Sequence, residues 1–192
     1  MSLKGYNMLY QDLNKDVMYE TLVPNYVLNH DLLQGDSIKL TFEGDYTDSC
    51  NSLARVTTGD DGKLEDSPGA QLNMISCSWS DMVDDSLDLL KNCPDIQRRR
   101  NTCKLILACE CTYRTENYRD LAMIIAQYLD RENGRAYIAT KRFYFGLSGG
   151  TFQFVDFVNT FEQGSLLKAE VLYSNSLKNS SNFVDIIQVR RV

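Results

Sequence analysis

Histidine is nearly absent: His30 is the single one in 192 residues. No Cys/His zinc set can be assembled around it, and no Ser/His/Asp triad is suggested, since no G-x-S-x-G elbow occurs. His30 itself reads as a surface residue at a helix end. Basic charge is also scarce, with 20 Lys and Arg against 26 Asp and Glu, a net charge of −6. A protein that grips phosphates by charge would show a basic surface, so direct nucleic-acid binding is not expected. The one basic run, Arg98 to Arg100, reads as a solvated turn before a strand. No apolar run approaches the roughly 18 residues of a membrane span, and Met1 to Asp12 has no apolar signal-peptide core. The expected setting is therefore the cytosol or nucleus. The six cysteines, at positions 50, 77, 93, 103, 109 and 111, contain no C-x-x-C pair and are expected as reduced thiols.

What is present is an ordinary globular balance, 43% hydrophobic and 24% charged. The length suits a single domain spanning 1–192. Tyr6 to Tyr10 reads as a strand ending at Gln11-Asp12. Asp16 to Asn29 reads as a helix, with a break or a second start at Pro24. Ile38 to Phe42 alternates as a strand does. Residues 43–70 read as an inserted flexible loop, because TTGDDGKLEDSPG (Thr57 to Gly69) is rich in turn formers and acid.

Leu72 to Cys77 is the next predicted strand, and Asp81 to Lys91 a helix with Met82, Leu87 and Leu90 inward. Lys104 to Cys109 is a continuous apolar run of the kind buried in parallel sheets. Thr115 to Leu129 is a helix capped by Thr115, with Leu121, Ile124, Ile125, Tyr128 and Leu129 as its stripe. Arg135 to Thr140 is a strand and Thr151 to Phe161 a helix. Leu167 to Tyr173 and Phe183 to Arg190 form a final antiparallel pair. The alternation predicts an α/β fold: three layers, with a mostly parallel twisted sheet covered on both faces and an antiparallel last strand.

In such sheets ligands sit beyond the carboxyl ends of the strands. Asp12, Ser76 to Trp79, Cys109 to Tyr113 and Lys141 to Gly150 fall there. Asp12 has two oxygens for a pair of ribose hydroxyls, although a turn or cap aspartate looks the same. Trp79, the lone tryptophan, suits an adenine face or an ordinary core position. Three glycines in Gly146 to Gly150 allow close backbone approach, for a ligand or merely a tight turn. The segment lacks the GK[ST] of a phosphate loop.

Four fragments in order, GYNMLYQDLNKDVMYETLVPNYVLN, ISCSWS, LILACECTYRTENY and KRFYFGLSGGTFQF, resemble the protein-histidine methyltransferases among the seven-β-strand (class I, Rossmann-like) methyltransferases. Members carry a QDYN- or TDYN-like strand end with a TxPNxxxN-like helix, an SGxW turn, an SETIY strand end and a YFGVGGG loop. The resemblance spans nearly all of 5–190 outside 43–70. It implies S-adenosyl-L-methionine as cofactor, no metal, and a histidine of a protein substrate, typically a large-subunit ribosomal protein, as methyl acceptor.

By position, Asp12, Leu13 and Asn14 would hold the ribose. Cys77, Ser78 and Trp79 would line the adenine, with Cys109 bordering the methyl pocket. Glu110 and Tyr144 would be the catalytic pair, Glu110 orienting the imidazole N–H. Tyr113, Phe145, Gly146, Gly149 and Gly150 would shape the substrate wall. Cys77 stands for a glycine, Cys109 for a serine, Cys111-Thr112 for Thr-Ile and Ser148 for a glycine. The family's glycine-rich cofactor loop lies on a strand before the one ending at Asp12, where only eleven residues stand here. The expectation is that the sheet lacks that first strand, that the natural gene extends upstream of Met1, and that the 192 residues bind the cofactor weakly or not at all. A non-catalytic binding or regulatory relative is the alternative. A nicotinamide dehydrogenase also suits Asp12 but leaves the YFGLSGG loop unexplained.

Overall fold

A computed structural model describes residues 7–34, 38–43, 52–58, 71–84, 97–175 and 183–192. The chain forms two compact units, Met1–Cys93 and Pro94–Val192. Both are α/β, and both sheets mix parallel and antiparallel strands.

In the first unit β1 (Met8–Asp12) leads into a π-helical segment, Val17–Leu22, and then α1 (Val23–Gln34). The break or second start expected at Pro24 does not occur: Val23 keeps helical φ and ψ and its N–H donates to the Met18 carbonyl, so the helix runs through the π-helical turn into α1 and past the proline. β2 (Ile38–Glu43), β3 (Ser52–Thr58) and β4 (Gln71–Ser76) follow. β1 pairs with β4 in parallel, β4 with β3 and β3 with β2 antiparallel. Met18, Val23, Leu72 and Met74 form the buried centre, with Met8, Tyr10, Leu22 and Tyr26 packed around it.

β3 is a correction to the expected loop at 43–70. SLARVTT includes the strand formers Val56, Thr57 and Thr58 and pairs on both sides, so residues 52–58 are a sheet strand. The acidic stretch at 59–70 lies outside the described residues, as does 44–51. The short helix α2 (Trp79–Val83) ends at Asp84, which turns extended. Leu87 and Leu90 of the longer predicted helix, and the His30 side chain, lie outside what is described.

The second unit holds β5 (Leu105–Cys109), α3 (Tyr118–Tyr128), β6 (Arg135–Lys141), α4 (Thr151–Thr160), β7 (Leu167–Asn175) and β8 (Val184–Arg191). The strand order is β5-β6-β8-β7, with only β5 and β6 parallel. A helical crossover through α3 makes that pair parallel, while the short return before β8 makes a hairpin. The mostly parallel sheet expected from the element order is thus replaced by mixed sheets.

One face of this second sheet carries the core: Ala136, Ile138, Leu167, Ala169, Ile187 and Val189 are buried with Leu121, Ile125, Phe154 and Val158 of the helices. The helical stripe is as predicted, with Ile124 less deeply placed than its neighbours. β5 departs from expectation. LILAC is an edge strand whose Leu105, Leu107 and Cys109 are exposed. An apolar run is driven inside only where a neighbour covers it, and in this unit β5 has β6 on one side only. Among the described residues no helix is long and apolar enough to cross a membrane.

Candidate functional site

The two parallel pairs carry the candidate residues at their carboxyl ends, one set in each unit. In the first, Asp12 stands in register with Ser76, so the chain leaves β1 and β4 side by side. Gln11 links the two exits. Its side-chain carbonyl accepts the Trp79 indole N–H at 2.8 Å, and its amide donates to the Cys77 carbonyl at 2.7 Å. The Cys77 N–H donates to the Asp12 carbonyl at 3.1 Å, and Ser76 Oγ to the Leu13 carbonyl at 3.2 Å. These bonds hold residues 11–13 against 76–79.

The Asp12 carboxylate accepts the Asn14 N–H at 2.8 Å, closing an Asx turn. Leu13 and Asn14 are exposed. Ser78 caps α2, its hydroxyl accepting the Asp81 N–H at 3.1 Å. Cys77 is buried, and burial with the nearby Asp81 charge pushes its thiol up to about 12. It is a packed thiol, protonated at neutral pH, and no nucleophile.

In the second unit, β5 and β6 end together. The Glu110 N–H donates to Ala139 O at 2.9 Å while its own φ is +52°, a left-handed conformation rare for a residue with a side chain. That turn presents the Glu110 carboxylate to Lys141 Nζ at 3.9 Å. Three hydroxyls form a chain behind it: Thr112 to Thr140 at 2.6 Å, and Thr140 to Tyr144 at 2.8 Å. Burial raises the Tyr144 phenol above its ordinary range, and Glu110 beside it adds to the rise. Tyr144 therefore stays protonated at neutral pH and serves as a donor. The Tyr113 ring meets it edge-on, with centroids 6.1 Å apart. Cys109 is exposed at the strand end. Cys111 is buried, and that burial raises its thiol to about 12.

The glycine loop is pinned at its root and open at its tip. The Gly149 N–H donates to Tyr113 O at 3.1 Å, and a Cβ on Gly149 would collide with the Thr112 carbonyl and lie 2.8 Å from the Tyr118 hydroxyl. Glycine is needed there for close approach of two backbones. The Tyr118 hydroxyl, fully buried, accepts the Gly150 N–H at 2.9 Å and reaches Thr112 O at 3.1 Å. Ser148 Oγ meets both the N–H and the hydroxyl of Thr115, at 3.2 and 3.0 Å. Thr115 thus braces the loop and lies in a short 3₁₀ turn (Thr115–Asn117) ahead of α3, where the sequence suggested a helix cap. At the tip Gly146 takes φ +74° and Phe145 is 94% exposed.

Gln11, Tyr118 and Thr140 were given no role from the sequence, and Thr112 and Ser148 were noted there only as departures from the family's pattern. Adjacency to Asp12 could have flagged Gln11. Tyr118 looks like any helix aromatic until its hydroxyl is seen spanning two backbones. Tyr118→Phe should leave the Gly150 N–H unsatisfied inside the unit. The expected cost is about 1–3 kcal/mol, read as a lower urea midpoint with unchanged slope. An unchanged midpoint would show that the hydroxyl does not hold the loop.

No protein-family model matches the chain, and no curated protein matches it significantly. Among the described residues no group of three His, Cys, Asp or Glu side chains is placed to hold a metal ion.

Proposed function

We propose that this chain is an S-adenosyl-L-methionine-dependent protein methyltransferase of Rossmann-like type, acting on a histidine of a protein substrate such as a large-subunit ribosomal protein. The observation that supports it is the carboxyl end of the β1–β4 pair. An acidic side chain, Asp12, and an indole oriented by Gln11, Trp79, leave adjacent parallel strands there. A carboxylate suits ribose hydroxyls and an indole face suits adenine.

The second unit, taken by itself, carries groups that suit an imidazole acceptor. Methyl transfer to an imidazole is a direct displacement at the sulfonium carbon, which needs alignment more than a strong base. Glu110 is an acceptor for the imidazole N–H, leaving the other nitrogen's lone pair free to attack. Tyr144, protonated and tied to Thr140, is a fixed donor beside it. The cofactor supplies the activated methyl group when bound.

One observation favours a second reading, a non-catalytic binding module: the Asp12 carboxylate already serves its own Asx turn. Calorimetric titration with S-adenosyl-L-methionine separates the two. Under the methyltransferase reading the chain takes up the cofactor and Asp12→Ala weakens it by about tenfold or more, the loss of one charge-assisted hydrogen bond. Equal affinities for the two proteins would overturn the cofactor assignment, and no uptake at millimolar cofactor would favour the binding-module reading.

A further inference from the structure

Two buried threonines of the second unit stand where aliphatic residues would pack as well. β6 alternates, and its inward places are held by Ala136, Ile138 and Thr140. Thr112 has no exposed surface either. A hydroxyl taken out of water is costly unless its proton finds an acceptor. Each hydroxyl has one proton to give and lone pairs with which to receive another.

This accounting gives the chain of hydroxyls a direction. Among the described residues Thr112 Oγ1 meets one polar group, Thr140 Oγ1, at 2.6 Å. Thr140 Oγ1 in turn meets the Tyr144 hydroxyl at 2.8 Å. If Tyr144 donated inward, Thr140 would donate to Thr112, and the Thr112 proton would be left in the interior without an acceptor. If Thr112 donates outward, every proton has an acceptor and only a lone pair goes unused, the more readily tolerated omission. The Tyr144 oxygen then receives the Thr140 proton, and it also accepts the Lys141 N–H at 3.3 Å. Its own proton is left for a third partner. Glu110 is the acceptor at hand: Lys141 Nζ lies 3.9 Å from its Oε2 and 5.7 Å over the Tyr144 ring centre. The electrostatics agree. Burial raises the Tyr144 phenol most, Thr140 and the Lys141 N–H pull it down as donors do, and Glu110 pushes it up as an acceptor does.

We propose that Thr112 and Thr140 are positioning residues, forming a one-way hydroxyl chain that turns the Tyr144 proton onto the Glu110 carboxylate. Its catalytic meaning rests on the methyltransferase reading. With the carboxylate held by Tyr144 and Lys141, a lone pair of fixed direction is left to accept the imidazole N–H. Neither threonine touches the substrate. Both act through Tyr144, each bond polarising the next.

The direction is tested by urea unfolding of valine variants, which keep the shape and remove the hydroxyl. Thr140→Val strands the Thr112 proton, whereas Thr112→Val strands only a lone pair of Thr140. Thr140→Val should therefore have the lower midpoint, and adding Thr112→Val to it should raise the midpoint again, because removing both partners leaves nothing stranded between them. The opposite order, or a double variant no more stable than Thr140→Val, would overturn the proposal. The outer end is tested by the pH titration of Tyr144, followed by nuclear magnetic resonance of isotope-labelled tyrosine and assigned through Tyr144→Phe. Glu110→Gln should lower the phenol's midpoint by weakening its acceptor. Thr140→Val should raise that midpoint by removing a donor to the phenolate, and Thr140→Ser should restore it. A phenol indifferent to Glu110→Gln would equally overturn the proposal. Neither measurement involves the cofactor, so this chain can fail while the calorimetric titration upholds the methyltransferase reading, and the reverse.

Discussion

Arg142→Met is expected to lower the thermal midpoint by on the order of 10 °C, because it strips the cation from a buried carboxylate. Asp185 is wholly buried. The Arg142 guanidinium donates to both its oxygens, at 3.1 and 2.9 Å, and stacks 4.9 Å from the Phe183 ring centre. Methionine keeps an apolar stem among the aromatic rings, so the loss isolates the charge. The pair also roots the glycine loop. The Arg142 N–H donates to Phe183 O at 2.9 Å, and its carbonyl accepts the Thr151 N–H at 3.3 Å.

The pH dependence has a definite sign. Burial pushes the Asp185 carboxyl up, but hydrogen bonds from Arg142, Ser174 and Thr151 outweigh it and hold the group below its ordinary range. A depressed folded-state pKa contributes stability that is complete above the unfolded value, near 3.9, and is lost as pH falls through the folded value. Without Arg142 the burial effect should prevail and the carboxyl should titrate above its ordinary range. The penalty in Arg142→Met is then greatest at neutral pH and shrinks as acid protonates Asp185. Calorimetry at neutral pH and near pH 4.5 (about half a unit above the unfolded carboxyl) checks this. A gap between the two proteins that holds or widens in acid would refute the account.

Phe154→Ala is expected to cost about 3–5 kcal/mol, the usual range for emptying a buried aromatic site. Phe154 has no exposed surface, and its ring meets Tyr118 edge-on with centroids 5.1 Å apart. It sits one turn into α4 and backs the same tyrosine whose hydroxyl holds Gly150. The cavity should therefore loosen the loop as well as the core. Hydrogen exchange at Gly149 and Gly150 should speed up alongside the fall in urea midpoint. Phe154→Leu, which fills most of the volume, should recover the larger part of both. Global destabilisation with unchanged exchange at the loop would separate Phe154 from the loop's support.

Within each unit most helices and strands were legible in the residues. The stripe Leu121, Ile125, Tyr128 and Leu129 repeats at helical spacing and is buried. The polar Ser/Asn return joins an antiparallel pair. β3 was missed because the turn-forming residues after Thr58 dominate the local composition, while its pairing with β2 and β4 is a property of distant segments. Of the candidate residues, the carboxyl-end positions followed from element order alone. Their supports did not. Gln11 reaches Trp79 across 68 positions, and Ser148 reaches Thr115 across 33.

Local pattern, then, determined where this chain coils and where it extends, because side-chain spacing and backbone restriction act over a few residues. Tertiary structure alone decided which strands lie together and which lie at an edge. LILAC carries the sequence of an interior strand, yet burial is settled by what arrives beside it, and in its unit only β6 does. The same holds for Asp185, whose neighbours in sequence give no sign that Arg142, 43 positions earlier, will meet it in the dry interior. Charge pairing and edge exposure are set by proximity in space, which no local pattern encodes.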